Sequence, residues 1–95
     1  MLKVVAKGEL KPGAIEALAP LYRELIAETR KENGCVEYGF FIDASDETKC
    51  CFVETWESAD ALAAHVKTEH FTRIFPQLRE QGFTMGEVLR LNEFV

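Results

Sequence analysis

No run of lysine or arginine interleaved with aromatic residues occurs in this chain, and acidic residues outnumber basic ones 16 to 11, for a formal net charge of −5. The positive footprint of a nucleic-acid or anionic-membrane binder is therefore missing. A phosphate-cradling glycine loop, a GxSxG elbow, an HExxH helix and paired cysteine ligands are missing too, which leaves nucleotide hydrolysis, serine hydrolysis and structural zinc without support. The apolar stretch from Met1 to Lys7 is shorter than a signal-peptide core and far below the roughly 20 residues that span a bilayer, so the expected location is the cytoplasm. Cysteine is scarce and odd in number: Cys35, Cys50 and Cys51. The adjacent pair matches no two-residue-spaced zinc or redox motif, and the expectation is three reduced thiols acting as small apolar side chains.

What is present is an ordinary globular composition, 47% hydrophobic and 28% charged over 95 residues. That length predicts one domain over residues 1–95. A chain this short buries only roughly 60–65% of the surface it would expose when unfolded, so a second subunit that adds core is favoured.

Leu2 to Leu10 alternates at the two-residue period of a half-buried strand. After Lys11-Pro12-Gly13, Ile15, Leu18, Ala19, Tyr22, Leu25, Ile26 and Thr29 recur at helical spacing and predict a helix over residues 13–32, kinked at Pro20. Asn33-Gly34 fits a left-handed helix end. Cys35 to Asp43 alternates again, residues 44–49 are polar and turn-forming, and Cys50 to Glu57 completes a hairpin. Ser58 and Thr68 have N-cap side chains, so the second helical region is expected in two pieces, with a further break or kink at Pro76. A last strand is read from Met85 onward. The order β-α-β-β-α-β is that of the α+β ferredoxin-like unit with an antiparallel sheet. Val5, Phe41, Cys51, Val53, Thr55, Val88 and Phe94 fall on the opposite strand parity, where water does not favour them. A homodimer with sheets packed face to face is the expected cover.

Chemistry-bearing residues gather late in the chain. Trp56 shares strand parity with Phe52 and Glu54, while Tyr38 lies on the preceding strand. Such an aromatic stripe is core or a ligand wall. Glu54 needs a basic partner or a polar recess. His65, at the border of an apolar stripe, is either a half-buried helix-flank residue or a neutral imidazole able to take a proton. His70, at a helix start where a cation is disfavoured, is a hydrogen-bonding group or simply exposed. Five residues apart on one ideal helix, the two histidines diverge by roughly 140°, so no metal site is expected unless the helix breaks at Thr68.

Glu54-Thr55-Trp56-Glu57-Ser58, Ala61-Leu62-Ala63-Ala64-His65 and Thr68-Glu69-His70-Phe71, preceded by Glu32-Asn33-Gly34-Cys35 and a tyrosine-bearing strand, resemble the antibiotic biosynthesis monooxygenase family along the whole chain. The resemblance implies a dimeric α+β barrel and a substrate pocket between sheet and helices. It implies oxidation of a quinol or an aromatic polyketide-like phenol by O2 without any cofactor. His65 would then be the base, His70 a hydrogen-bond partner to a substrate oxygen, and Glu54 an orienting group. Trp56, Tyr38 and Phe52 would form the wall. The haem-degrading branch uses an asparagine in the first strand; residues 2–10 contain none, which disfavours haem degradation. Two alternatives remain from other classes: an isomerase of a small carbonyl compound of the quorum-signal-processing type, where Lys67 would bind phosphate, and a non-catalytic dimer that binds a small aromatic molecule.

Overall fold

The computed structural model describes residues 1–95. Its elements are β1 (Leu2–Leu10), α1 (Ala14–Thr29), β2 (Cys35–Asp43), β3 (Asp46–Trp56), α2 (Ala59–His65), α3 (Glu69–Glu80) and β4 (Phe83–Leu91). The strands form one antiparallel sheet in the order β2-β3-β1-β4. This is the ferredoxin-like α+β arrangement, with the second helical region divided as its two N-caps predict.

The alternation of β1 becomes burial: Val4, Ala6 and Leu10 pack with Phe52 and Trp56 of β3 against Leu18, Tyr22 and Leu25 of α1 and Ile74, Phe75 and Leu78 of α3. Gly8 interrupts this row because the Phe83 ring occupies the space; a Cβ there would lie 2.4 Å from Phe83 Cε1. The chain stays helical through Pro20, one helix as expected there, and α3 likewise continues through Pro76 without a break. Each proline is exposed, as are Glu16 and Thr72 four residues earlier, so the carbonyls deprived of an amide partner face water and the helix is not forced to break.

The hairpin is tighter than the polar run suggested. Asp43 pairs with Asp46, so β3 begins at Asp46 and the turn is Ala44-Ser45 alone. Asp43 Oδ1 accepts the Ser45 amide at 2.8 Å and Asp46 Oδ1 accepts that of Thr48 at 3.0 Å, so polar side chains here brace a strand that extends beyond the core.

β4 departs most from its sequence pattern. Gly8 pairs with Met85 but Ala6 pairs with Val88, two steps on β1 against three on β4, which is a β-bulge. The helix-facing row therefore runs Phe83, Met85, Val88, Arg90. Val88 lies on the helix side of the sheet and not on the far side, and Phe94 lies beyond the end of the strand. The far face keeps Val5 flanked by Val53 and Leu89, with Phe41 beside Cys51. Ion pairs Lys3–Glu37 and Lys7–Glu87 stand among these residues. All three cysteines are free. No helix is long and apolar enough to cross a membrane.

Candidate functional site

Glu32 lies in the turn that closes α1. Gly34 in this turn has φ +83°, a left-handed conformation that glycine accepts at no cost. Its carbonyl accepts the Glu57 amide at 2.8 Å, and a Cβ on it would stand 2.6 Å from Ala61 Cβ. The turn is thereby held against the first turn of α2, which brings Glu32 toward the other end of that helix. There the Thr68 hydroxyl donates to the His65 carbonyl at 2.8 Å and accepts the Phe71 amide at 3.3 Å. One side chain ends α2 and starts α3, and the change of direction cancels the divergence that a continuous helix would impose on His65 and His70.

Both histidines converge on one oxygen. Glu32 Oε2 lies 2.8 Å from His65 Nδ1 and 2.6 Å from His70 Nε2. A carboxylate offers only lone pairs, so each ring presents an N–H to it, and the His65 proton is fixed on Nδ1. Nε2 of His65 is left with its lone pair and no protein partner, on a residue that is 2% exposed and lines a cavity. Burial pushes the pKa of His65 below its ordinary value, and the Glu32 hydrogen bond opposes this in part. The neutral ring is the form such a site holds near neutral pH. Around it stand Tyr38, Trp56 and Phe71, with ring centroids 5.2, 4.9 and 4.8 Å from the imidazole.

The cavity measures about 350 Å³, the low end of the range for small-molecule sites. Val4, Ala6, Phe52 and Tyr38 line it from the sheet, and Leu62, Val66, Phe71 and Phe75 from the helices. Of its 15 lining residues 12 are hydrophobic, and the polar ones are Glu54, His65 and Arg90. Glu54 is 6% exposed and accepts the Trp56 indole N–H at 2.9 Å. No cation pairs with it, and burial raises its pKa, opposed in part by the indole hydrogen bond. The Tyr38 phenol is pushed far up by burial and the nearby Glu54 carboxylate, so it remains a neutral hydroxyl.

His65, Glu54, Tyr38 and Phe52 thus meet at one cavity. Trp56 does not line it: the indole is fully buried behind His65 and holds Glu54. His70 is not on the lining either, and stands on the far side of Glu32 with 14% of its side chain exposed. Sequence reasoning missed Glu32, Phe71, Phe75 and Arg90. For Glu32 a signal existed but was not selective, since a helix C-terminus disfavours an acid, yet Glu28 in the last turn of α1 carries the same signal and only pairs with Lys31 at the surface. For Arg90 none did, because the bulge reverses its strand parity. Glu32, His65 and His70 also offer three ligand atoms within 4.8 Å of one another. The separations from Glu32 Oε2 to the two nitrogens are those of charge-assisted hydrogen bonds.

Residues 1–77 match the family model for antibiotic biosynthesis monooxygenase. The fold superposes on a crystal structure of an antibiotic biosynthesis monooxygenase with a TM-score of 0.89 and 39% identity, each chain covered in full. A Pseudomonas aeruginosa protein of known structure gives 0.86 and 32%, covering 99% of this chain and 94% of its own. An uncharacterized Synechocystis protein is 32% identical over 63 residues, 66% of this chain; the match spans 43% of that relative's length, less than half.

Proposed function

The chain belongs to the antibiotic biosynthesis monooxygenase family, and on that premise we propose that residues 1–95 form one domain that oxidises an electron-rich hydroxyaromatic with O2 in the cavity beneath α2 and α3. The observation that carries this is the free Nε2 of a buried, neutral His65 inside an aromatic cavity, with Nδ1 tied to Glu32. A phenol bound there gives its proton to Nε2. The resulting imidazolium is stabilised by the Glu32 carboxylate, as an acid stabilises the histidine of a hydrolase triad. The phenolate, now electron-rich, passes an electron to O2. Recombination of the two radicals forms a C–O bond at the ring carbon beside the oxygen, and loss of water from the hydroperoxide leaves the oxidised ring. For a simple hydroquinone, one oxygen atom enters as the new oxygen of a hydroxyquinone and the other leaves as water.

Each side chain has a part in this reading. Glu32 holds the tautomer of His65, and His70, donating its own N–H to the same oxygen, holds Glu32 in place, while the proton taken by His65 returns to the peroxide oxygen that leaves as water. Tyr38 and Phe52 bound the ring, and Glu54 orients a ring hydroxyl. Trp56 acts as the prop of Glu54 and His65, a supporting role in place of a wall. No cofactor takes part. The chain pairs with a second copy through its open sheet face, and what supports this is the apolar row of Val5, Val53, Leu89 and Phe41, the last 55% exposed.

Oxygen uptake with a panel of hydroquinones, on protein stripped of metal, tests the reaction. The expected result is consumption by the wild type and a loss of about 10²–10⁴-fold in His65→Ala. Full activity in that variant rejects His65 as the base, and no uptake with any hydroquinone rejects the oxygenase reading.

A further inference from the structure

The bulge in β4 decides which charge faces the cavity. Continued in register from the Gly8–Met85 pair, β4 would set Glu87 opposite Ala6 and Leu89 opposite Val4, turning Glu87 inward and Arg90 out to the open face. The extra residue reverses this. Glu87 points to the open face, where it pairs with Lys7 at 3.4 Å, and Arg90 turns to the cavity. Gly86 permits the local geometry, since a Cβ there would come 3.3 Å from the Lys7 carbonyl oxygen. Bulges beside sites characteristically re-aim a side chain in this way.

Arg90 is the one cationic residue among those lining the cavity, and it forms no ion pair, whereas Lys3, Lys7 and Arg73 each hold an acid. Arg90 and Glu54 flank Val4 from opposite sides, two strand spacings or about 9.6 Å apart at the backbone, and no ion pair joins them. Arg90 and Val88 are exposed, so this wall is the mouth, while Val4 and Ala6 are its buried floor. A planar fork at the rim of an apolar, aromatic-lined cavity matches a compact oxyanion on a ring whose hydroxyl lies deeper.

We propose that Arg90 binds a carboxylate on the substrate ring, so that the site selects an aromatic hydroxy acid over the corresponding neutral phenol. This rests on the reading of the cavity as the substrate site. The acid's ring packs against Phe52 and Tyr38, its hydroxyl reaches His65, and its carboxylate remains at the mouth, where it is only partly desolvated.

Anaerobic calorimetric titration with hydroquinone and with a dihydroxybenzoate, the same ring carrying one carboxylate, tests the proposal on wild type, Arg90→Gln and Arg90→Lys. The readout is the ratio of the two Kd values, which cancels general damage to the cavity. We expect the acid to bind on the order of 10-fold tighter to the wild type, a preference that falls as salt is raised, is reduced in Arg90→Lys and vanishes in Arg90→Gln. Equal or weaker binding of the acid to the wild type, or a preference that survives Arg90→Gln, overturns it. Oxygen uptake on the same ligands separates the two readings. An Arg90-dependent preference without oxygen consumption leaves the carboxylate site standing and rejects the oxygenase, and consumption without preference does the reverse. Binding of neither ring rejects both.

Discussion

Glu54→Gln should stabilise the protein, and by an amount that depends on pH. The Glu54 carboxyl is almost wholly buried, accepts one hydrogen bond from Trp56, and has no cationic partner. Burial raises its pKa above the ordinary 4.5, so the folded protein holds this proton more tightly than the unfolded chain. The associated stability is fully present below about pH 4.5 and is lost as pH rises through the folded value. Glutamine keeps the volume and a carbonyl oxygen for the indole while carrying no charge. An under-satisfied buried charge costs about 1–3 kcal/mol, and contact with the cavity trims this, so the variant should gain about 1–2 kcal/mol near pH 8 and almost nothing near pH 4. For a chain of this size each kcal/mol moves Tm by about 4–8 °C. Urea denaturation across this pH range, at one protein concentration because self-association couples to stability, reads the difference directly. A gap between variant and wild type that does not change with pH would refute the assignment of Glu54 as a buried, cation-free acid.

Two further outcomes follow from the site and the open face. Because burial lowers the pKa of His65, the acid limb of kcat/KM for a hydroquinone should lie below pH 6.5, and Glu32→Ala, which removes the hydrogen bond that raises it, should move the limb further acid and cut turnover by about 10²-fold. A limb displaced to higher pH in that variant contradicts the role given to Glu32. Val53→Glu sets a charge opposite Val5 in the centre of the open face, so light scattering should find a dimeric wild type and a monomeric or unfolded variant, a penalty of about 3–5 kcal/mol. A wild type of monomeric mass, or an unchanged mass in the variant, counts against sheet-to-sheet pairing.

The strands were legible wherever side chains alternate and the pairing keeps step. β1 and β2 have the limits their period predicts, and Ser58 and Thr68 cap α2 and α3 as their side chains suggest. Asp46 to Lys49 carry no apolar period, so the start of β3 was hidden. The bulge near Gly86 was invisible for a related reason: period-2 reasoning assumes one residue per step, and an inserted residue exchanges the faces of everything after it. Strict alternation therefore places Val88 on the far side of the sheet and turns Arg90 away from the cavity. At the site, residue types could nominate His65 and Glu54 singly. The meeting of His65, His70 and Glu32 depends on a turn at Gly34 and a change of helix direction at Thr68, which together bring residues 33 and 38 positions apart into contact.

The strand order also dictates when the cavity can exist. β1 is made first, yet it sits in the interior of the sheet between β3 and β4. During synthesis it can satisfy one edge only after residue 56 has emerged and the other only after residue 91. Val4 and Ala6, which floor the cavity, thus wait for Val88 and Arg90, which rim it, so an incomplete nascent chain has no pocket to fill. Closing such distant pairings is the slow part of folding, and the open edge of β1 is the segment a partly made chain exposes to its neighbours. Competence to bind and completion of the fold arrive in the same step.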